Sequence, residues 1–178
     1  MRREENAMSL KSILQEKKPV IIKQWFEALV ETYPEGTRSS LRKQDAQFAN
    51  PVGYHYAEGV EALFDALLGG MLPDTVSTFL DSMIRIRAVQ NFTPAQAVAF
   101  IFQLKHIVRA ALGPELLQDR KLSEELVALE SAVDDLALFA FDLYMHCREG
   151  IYDIKAKEAG RATFRLLQQA KIITGFQE

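Results

Sequence analysis

The sequence has 178 residues, of which 48% are hydrophobic and 25% charged, the composition of an ordinary globular domain long enough to bury a core. Its net charge of −3 gives no general attraction to nucleic acid or to anionic lipid. The single cysteine, Cys147, excludes an internal disulfide and fits a reducing compartment. With no secretory signal and no apolar stretch long enough to span a membrane, we expect a cytoplasmic protein without membrane insertion.

The first third of the chain predicts helices separated by proline and glycine, and no segment alternates apolar and polar residues as a strand would. Ser9 is placed to cap a short helix that ends near Glu16. Pro19 then stands in the first turn of a helix that runs to about Tyr33. The polar segment 37–50 predicts the longest irregular connection. These features favour an all-α fold.

Three more helices are predicted over residues 51–68, 74–90 and 94–112. Pro51 and Pro94 each stand at a first helical position, where the missing N–H needs no partner. The helix over 94–112 is apolar almost all round, which is typical of a helix at the centre of a domain.

The last long helix is predicted to begin at Ser123 and carries apolar residues at alternating spacings of four and three. Leu138, Phe139 and Phe141 form a second apolar face beside this stripe. Two interpretations stay open: both faces pack inside the domain, or one of them meets a second subunit. The candidate dimer interface consists of Leu122, Leu126, Leu129, Val133, Leu136 and Leu143 within a stripe that continues through Ala140 and Cys147.

Composition changes after Gly150, so we divide the chain into a domain over residues 1–149 and a basic amphipathic helical tail over 150–178. The tail is either a solvated amphipathic helix or a segment that docks onto another protein. Its candidate docking residues are Lys155, Arg161, Phe164, Arg165 and Leu167.

Three polar residues on apolar helices are candidate ligand or partner contacts. Arg87 stands at the edge of an apolar stripe, where a buried guanidinium requires an acceptor. A carboxylate in an internal salt bridge or a backbone carbonyl would satisfy it structurally. Alternatively, Arg87 contacts an anion or a partner protein, which would give it a functional role. His106 and Arg109 form a polar edge on the central helix, either solvated, facing a subunit, or contacting a ligand. Arg85 is expected to pair with Asp81, four residues earlier.

Catalytic patterns are absent from the sequence: it has no glycine-rich phosphate loop, no Cys-x-x-Cys, no His-Glu-x-x-His and no nucleophile elbow. We therefore expect no enzyme and no cofactor. The main alternative is a haem- or metal-binding redox protein that uses His55, His106 or His146 in the helical core. Two of these histidines stand in His-x-x-Glu pairs, the reverse of the order found in carboxylate-bridged di-metal bundles.

Several segments together resemble the RsbRD-type N-terminal domain of stressosome-related RsbT co-antagonists, over roughly residues 10–148. They are KQWF at 23–26, TYP at 32–34, NPVG at 50–53, IRIRAVQ at 84–90, FTPAQAV at 92–98 and LK at 104–105.

The resemblance implies a sensory domain of a bacterial regulator with a globin-like fold that lacks haem and dimerises through its last two long helices. The helix that would carry a globin's proximal histidine corresponds to 74–90 and contains no histidine. Relatives of this type continue into a STAS output domain, whereas this sequence ends about 30 residues after the globin-like part. We therefore expect a stand-alone homodimeric sensor or adaptor that binds a regulatory protein and possesses room for a small-molecule ligand in its core.

Overall fold

The structure is a computed structural model that describes residues 9–43, 50–70, 74–90, 92–116 and 119–170. The described residues form seven α-helices and no strand, which confirms the all-α prediction and the long C-terminal helix. The helices are α1 Leu10–Glu16, α2 Lys18–Glu31, α3 Glu35–Leu41, α4 Pro51–Gly69, α5 Asp74–Val89, α6 Pro94–Leu116 and α7 Arg120–Gln169.

The starts of α1 and α2 agree with the prediction. Ser9 caps α1, its hydroxyl accepting a hydrogen bond from the backbone N–H of Ser12 at 3.3 Å. Pro19 lies in the first turn of α2. The end of α2 was predicted about two residues late, because the chain leaves the helix at Thr32.

Helix α3 corrects the prediction of an irregular segment over 37–50, of which 44–49 lie outside the described residues. The α3 sequence has a single buried residue, Leu41, and so gives no apolar periodicity to detect. Asn50 joins α3 to α4: its side-chain oxygen accepts from the Gly53 N–H at 3.0 Å, and its amide donates to the Ser40 carbonyl at 2.7 Å. A Cβ on Gly53 would lie 2.4 Å from the Leu41 carbonyl oxygen, so this junction requires glycine.

Helix α6 continues past the predicted end at residue 112 but changes direction at Gly113, whose φ of 76° lies in the left-handed region. Helix α7 begins earlier than the predicted Ser123. Asp119 caps it by accepting from the backbone N–H of Leu122 at 3.0 Å.

The core forms where α6 packs against α2 and α7, and where α5 packs against α4 and α7. Trp25 of α2 is fully buried, and its indole N–H donates to the Phe100 carbonyl of α6 at 2.8 Å. The prediction that α6 is buried on nearly all sides needs correction, because Phe102 is 40% exposed. One flank of α6 is therefore open.

Helix α7 has 50 residues and is about 75 Å long at 1.5 Å per residue. Its second part, residues 151–170, is exposed apart from Ile151 and Leu167, which are half-buried. The helix passes through Gly150 without a break, and the division of the chain at that point stays a prediction. No helix in the described ranges is long and apolar enough to cross a membrane.

Candidate functional site

Arg87 of α5 is a fully buried cation. Its Nη2 donates to the Thr32 hydroxyl at 2.8 Å and to the Gln96 carbonyl at 2.9 Å. The Thr32 hydroxyl in turn donates to the Leu29 carbonyl at 2.6 Å. Nε and Nη1 of Arg87 have no hydrogen-bond partner among the described residues, and no Asp or Glu there forms an ion pair with it. Of the predicted acceptors, the structure shows a carbonyl contact and no salt bridge.

Aromatic side chains enclose the Arg87 guanidinium. Its central carbon lies 4.3 Å from the Phe92 ring centroid, 5.2 Å from that of Phe100 and 5.3 Å from that of Tyr33. The hydroxyls of Tyr33 and Tyr56 form a buried hydrogen bond of 2.5 Å. Burial raises the pKa of both tyrosines and lowers the pKa of Arg87.

This environment compensates the Arg87 charge only in part. Each cation–π contact stabilises a desolvated cation by about 0.5–2 kcal/mol. Burial of an ion without a counter-ion costs several kcal/mol even after relaxation. Because an arginine side chain stays protonated in proteins, the charge is retained. The arrangement can therefore attract an anion or hold a conformation that anion binding would favour.

The predicted dimer stripe on α7 lies inside the chain's own core. We call Leu122, Leu126, Leu129, Val133, Leu136, Ala140 and Tyr144 the inner stripe; each is at most 9% exposed. The structure thus corrects the assignment of Leu122, Leu126, Leu129, Val133 and Leu136 to an interface between subunits, because these side chains already pack against the rest of their own chain. Leu143 is half-buried.

A second series of residues on α7 points away from the core. Leu138, Met145, Tyr152, Ala159 and Leu166 follow one another at intervals of seven, with Phe141 beside Leu138, and we call these six residues the outer stripe. Leu138, Tyr152 and Leu166 are 64%, 57% and 65% exposed. The outer stripe can serve as a contact surface for another helix.

The outer stripe continues onto α6. Arg109 of α6 forms a two-bonded ion pair with Glu130 of α7, at 2.5 and 2.7 Å, and Lys105 pairs with Asp134 at 2.6 Å. This antiparallel register places the exposed Phe102 level with Leu138. Since Lys105 and Arg109 are paired within the chain, the flank of α6 beside the outer stripe carries little net charge.

The other predicted polar contacts lie at the surface. His106 is exposed on α6, beside the Arg109 ion pair. Arg85 pairs with Asp81 at 2.6 Å, as expected. The structure does not bring His106 or Arg109 near Arg87, so the three candidates belong to two separate places.

The tail residues predicted to dock form a basic surface. Lys157, Arg161, Phe164 and Arg165 line one shallow depression together with Gly160. Lys155 lies elsewhere on the helix, where it is exposed, and Leu167 is half-buried.

Of the three histidines, only His55 reaches the interior: its Nε2 is buried and has no hydrogen-bond partner among the described residues. His106 and His146 are exposed, and His55 is half-buried with its ring 5.3 Å from that of Phe79. Within the described ranges, no group of three or more His, Cys, Asp or Glu is arranged to hold a metal ion.

Sequence reasoning missed the residues that surround Arg87. Thr32 and Tyr33 lie after α2, Phe92 precedes α6 and Phe100 lies within it, so they meet only in the folded chain. The available signal was the cluster of aromatic residues near helix ends. The outer stripe was visible in the seven-residue spacing from Leu138 but was obscured by the stronger inner stripe.

Fold and site define an all-α domain with a buried cation in its core and a long last helix that extends from the bundle. The chain belongs to the family described as the RsbT co-antagonist protein rsbRD N-terminal domain, which matches residues 19–158 and associates it with stressosome-related signalling. Searches of curated proteins and of solved structures found no match.

Proposed function

We propose that this chain is a cytoplasmic sensory or adaptor domain of a bacterial signalling system that acts through protein contacts and without catalysis. It works as a homodimer that forms through the outer stripe and the neighbouring flank of α6. A change in packing between the two copies is transmitted along α7 to a regulatory protein. The observation that carries this proposal is the outer stripe, together with membership of a signalling family.

The geometry of the outer stripe fits a second helix of the same kind. Intervals of seven residues keep one seam facing a partner when two helices wind around each other with a left-handed supercoil. Between the members of the stripe, small residues lie four positions after Tyr152 and Ala159, namely Ala156 and Thr163. Small side chains there allow two helix backbones to approach closely.

A second copy in parallel orientation is the occupant that this seam favours. A two-fold axis along α7 would bring each stripe against its own equivalent, as an isologous interface requires. Asp142 and Glu149 lie four positions after Leu138 and Met145 and are exposed, so two parallel copies must hold these carboxylates at the edge of the seam. Residues 151–170 are almost entirely exposed, so packing against a second copy would stabilise this part of α7.

Sedimentation velocity tests the homodimer. The parent chain should sediment as a dimer at micromolar concentration, and Leu138→Asp with Met145→Asp should sediment as a folded monomer, because two charges would be desolvated at the interface. The matched control is Val20→Asp, which changes an exposed valine on α2 and should leave the dimer intact. A monomeric parent chain, or a dimer that survives the double substitution, would refute the proposal.

The basic surface around Phe164 is the proposed contact for the regulatory protein. It presents Lys157, Arg161 and Arg165 around one aromatic ring, which suits an acidic protein surface. Arg161→Glu with Arg165→Glu should abolish partner cross-linking while preserving the dimer. Lys155→Glu removes one positive charge outside this surface and should retain the partner. Equal losses in both variants would contradict a specific site.

A further inference from the structure

We infer that the core of this domain contains a binding site for a small monovalent anion at Arg87. The proposal deepens the function given above, because such an anion would be the ligand of the sensor. Its tests read binding directly, so that a failed anion site and a failed dimer are distinguishable.

Several hydrogen-bond donors meet at Arg87. Nε and Nη1 of Arg87 are buried donors without an acceptor among the described residues. The bond between the hydroxyls of Tyr33 and Tyr56 uses one of their two protons, and the other remains available to donate. The guanidinium charge acts on both hydroxyls, lowering their pKa against the effect of burial. The Tyr33 and Tyr56 oxygens interact with the guanidinium, but they are neutral, so the buried cation still lacks an anionic acceptor.

A cavity at the surface lies next to the residues that contact Arg87. A cavity of about 280 Å³ opens between α2 and α6, and Thr32 and Phe100 form part of its wall. Both residues contact Arg87 on their other side, through the Thr32 hydroxyl and the Phe100 ring. Ala28 and Ala99 leave the entrance open. Thr32 therefore lies between the cavity and the guanidinium, and an anion that enters from the cavity would have to displace the Thr32 hydroxyl from Arg87.

The walls of this route restrict the chemistry of the ligand. Glu31 lies at the entrance, but it pairs with Arg38 and Arg42 at 2.6 Å each, so its charge is largely neutralised. The aromatic walls offer no cation to balance a second negative charge, which disfavours sulfate and phosphate. Chloride, bromide and formate are suitable probes.

Thermal unfolding of the full chain tests the site. Bromide or formate should replace sodium gluconate at constant ionic strength, because gluconate is a much larger anion that serves as the reference salt. The melting temperature of the parent chain should rise saturably, by about 2–4 °C. Trp25, which stacks on Phe100 with ring centroids 6.3 Å apart, should change its fluorescence over the same concentrations.

Arg87→Met removes the charge and keeps a similar volume, so the saturable rise should disappear. Arg85→Met is the matched control on the exposed side of α5 and should retain the rise. An equal rise in Arg87→Met, a rise that never saturates, or an equal loss in Arg85→Met would overturn the proposal.

Crystals of the unaltered chain grown in bromide give a readout that depends on no variant. An anomalous peak in contact with the Arg87 guanidinium would support the site. Bromide bound only at the protein surface would overturn it.

Discussion

Two stripes of apolar residues run along α7, and they differ in what covers them. The inner stripe is buried by the other helices of the same chain: Leu126, Val133 and Leu136 are 3%, 1% and 1% exposed. The outer stripe has comparable side chains, yet Leu138 and Tyr152 remain more than half exposed. Both stripes follow a seven-residue repeat. The repeat therefore identifies a surface that packs against other helices. Whether those helices belong to the same chain or to a second subunit is determined by the rest of the fold.

The largest expected effect is loss of the folded state when the inner stripe is charged. Leu129→Asp with Leu136→Asp would bury two carboxylates and remove contacts worth about 2–5 kcal/mol each even for alanine. We expect no cooperative transition in thermal circular dichroism. If this variant were a folded monomer, the inner stripe would instead form the interface between subunits.

Substitutions in the outer stripe should weaken dimer formation and hardly change the free energy of unfolding of the single chain. Leu138→Ala is expected to weaken the dimer about tenfold. Leu136→Ala, two residues away, should lower the free energy of unfolding by about 2–5 kcal/mol. Chemical denaturation at several protein concentrations separates the two effects. At high dilution, where the dimer dissociates, Leu138→Ala should hardly lower the free energy of unfolding. A loss as large as that of Leu136→Ala would contradict the distinction between the two stripes.

Alkaline pH probes the buried interior on which the inner stripe packs. Because burial raises the pKa of Tyr33 and Tyr56, the unfolded chain loses these protons first as pH increases. Their contribution to stability is thus complete below pH ~10 and is lost above it, by at most about 1.4 kcal/mol per tyrosine and pH unit. Urea unfolding at pH 8 and 10.5 should show a smaller decline for Tyr33→Phe with Tyr56→Phe. An unchanged decline would contradict the assignment.

The smallest expected effect concerns Cys147, which is half-buried where the inner stripe gives way to the exposed tail. Burial raises the pKa of its thiol, which leaves less reactive thiolate at pH 8. Alkylation by iodoacetamide should be a few-fold slower in the folded chain than in urea. Equal alkylation rates in the folded chain and in urea would show that the fold does not shield the Cys147 thiol.

The sequence predicted those features that depend on local chemistry. Ser9, Pro19 and Pro51 mark helix starts because caps and first-turn prolines act on neighbouring backbone groups. Helix α3 escaped prediction, since a short polar helix has no apolar period. The repeat in α7 predicted a packing surface but could not tell an intramolecular partner from a second subunit.

The surroundings of Arg87 could not be predicted for a different reason. Its position in an apolar stripe raised the question of an acceptor, but the answer depends on Thr32, Phe92 and Phe100, which tertiary packing brings together. Spacing along one helix carries no information on these contacts.

The central claim is that the outer stripes of two copies lie against each other in parallel, and disulfide cross-linking tests it most directly. In a chain with Cys147→Ser, Ala159→Cys would face its own equivalent across the axis, within the short distance that a disulfide requires. Lys157→Cys would lie on the opposite side of α7 and serves as the matched control. Mild oxidation should convert Ala159→Cys to a covalent dimer and leave Lys157→Cys monomeric on a non-reducing gel. Equal cross-linking of both, or none at residue 159, would contradict the account.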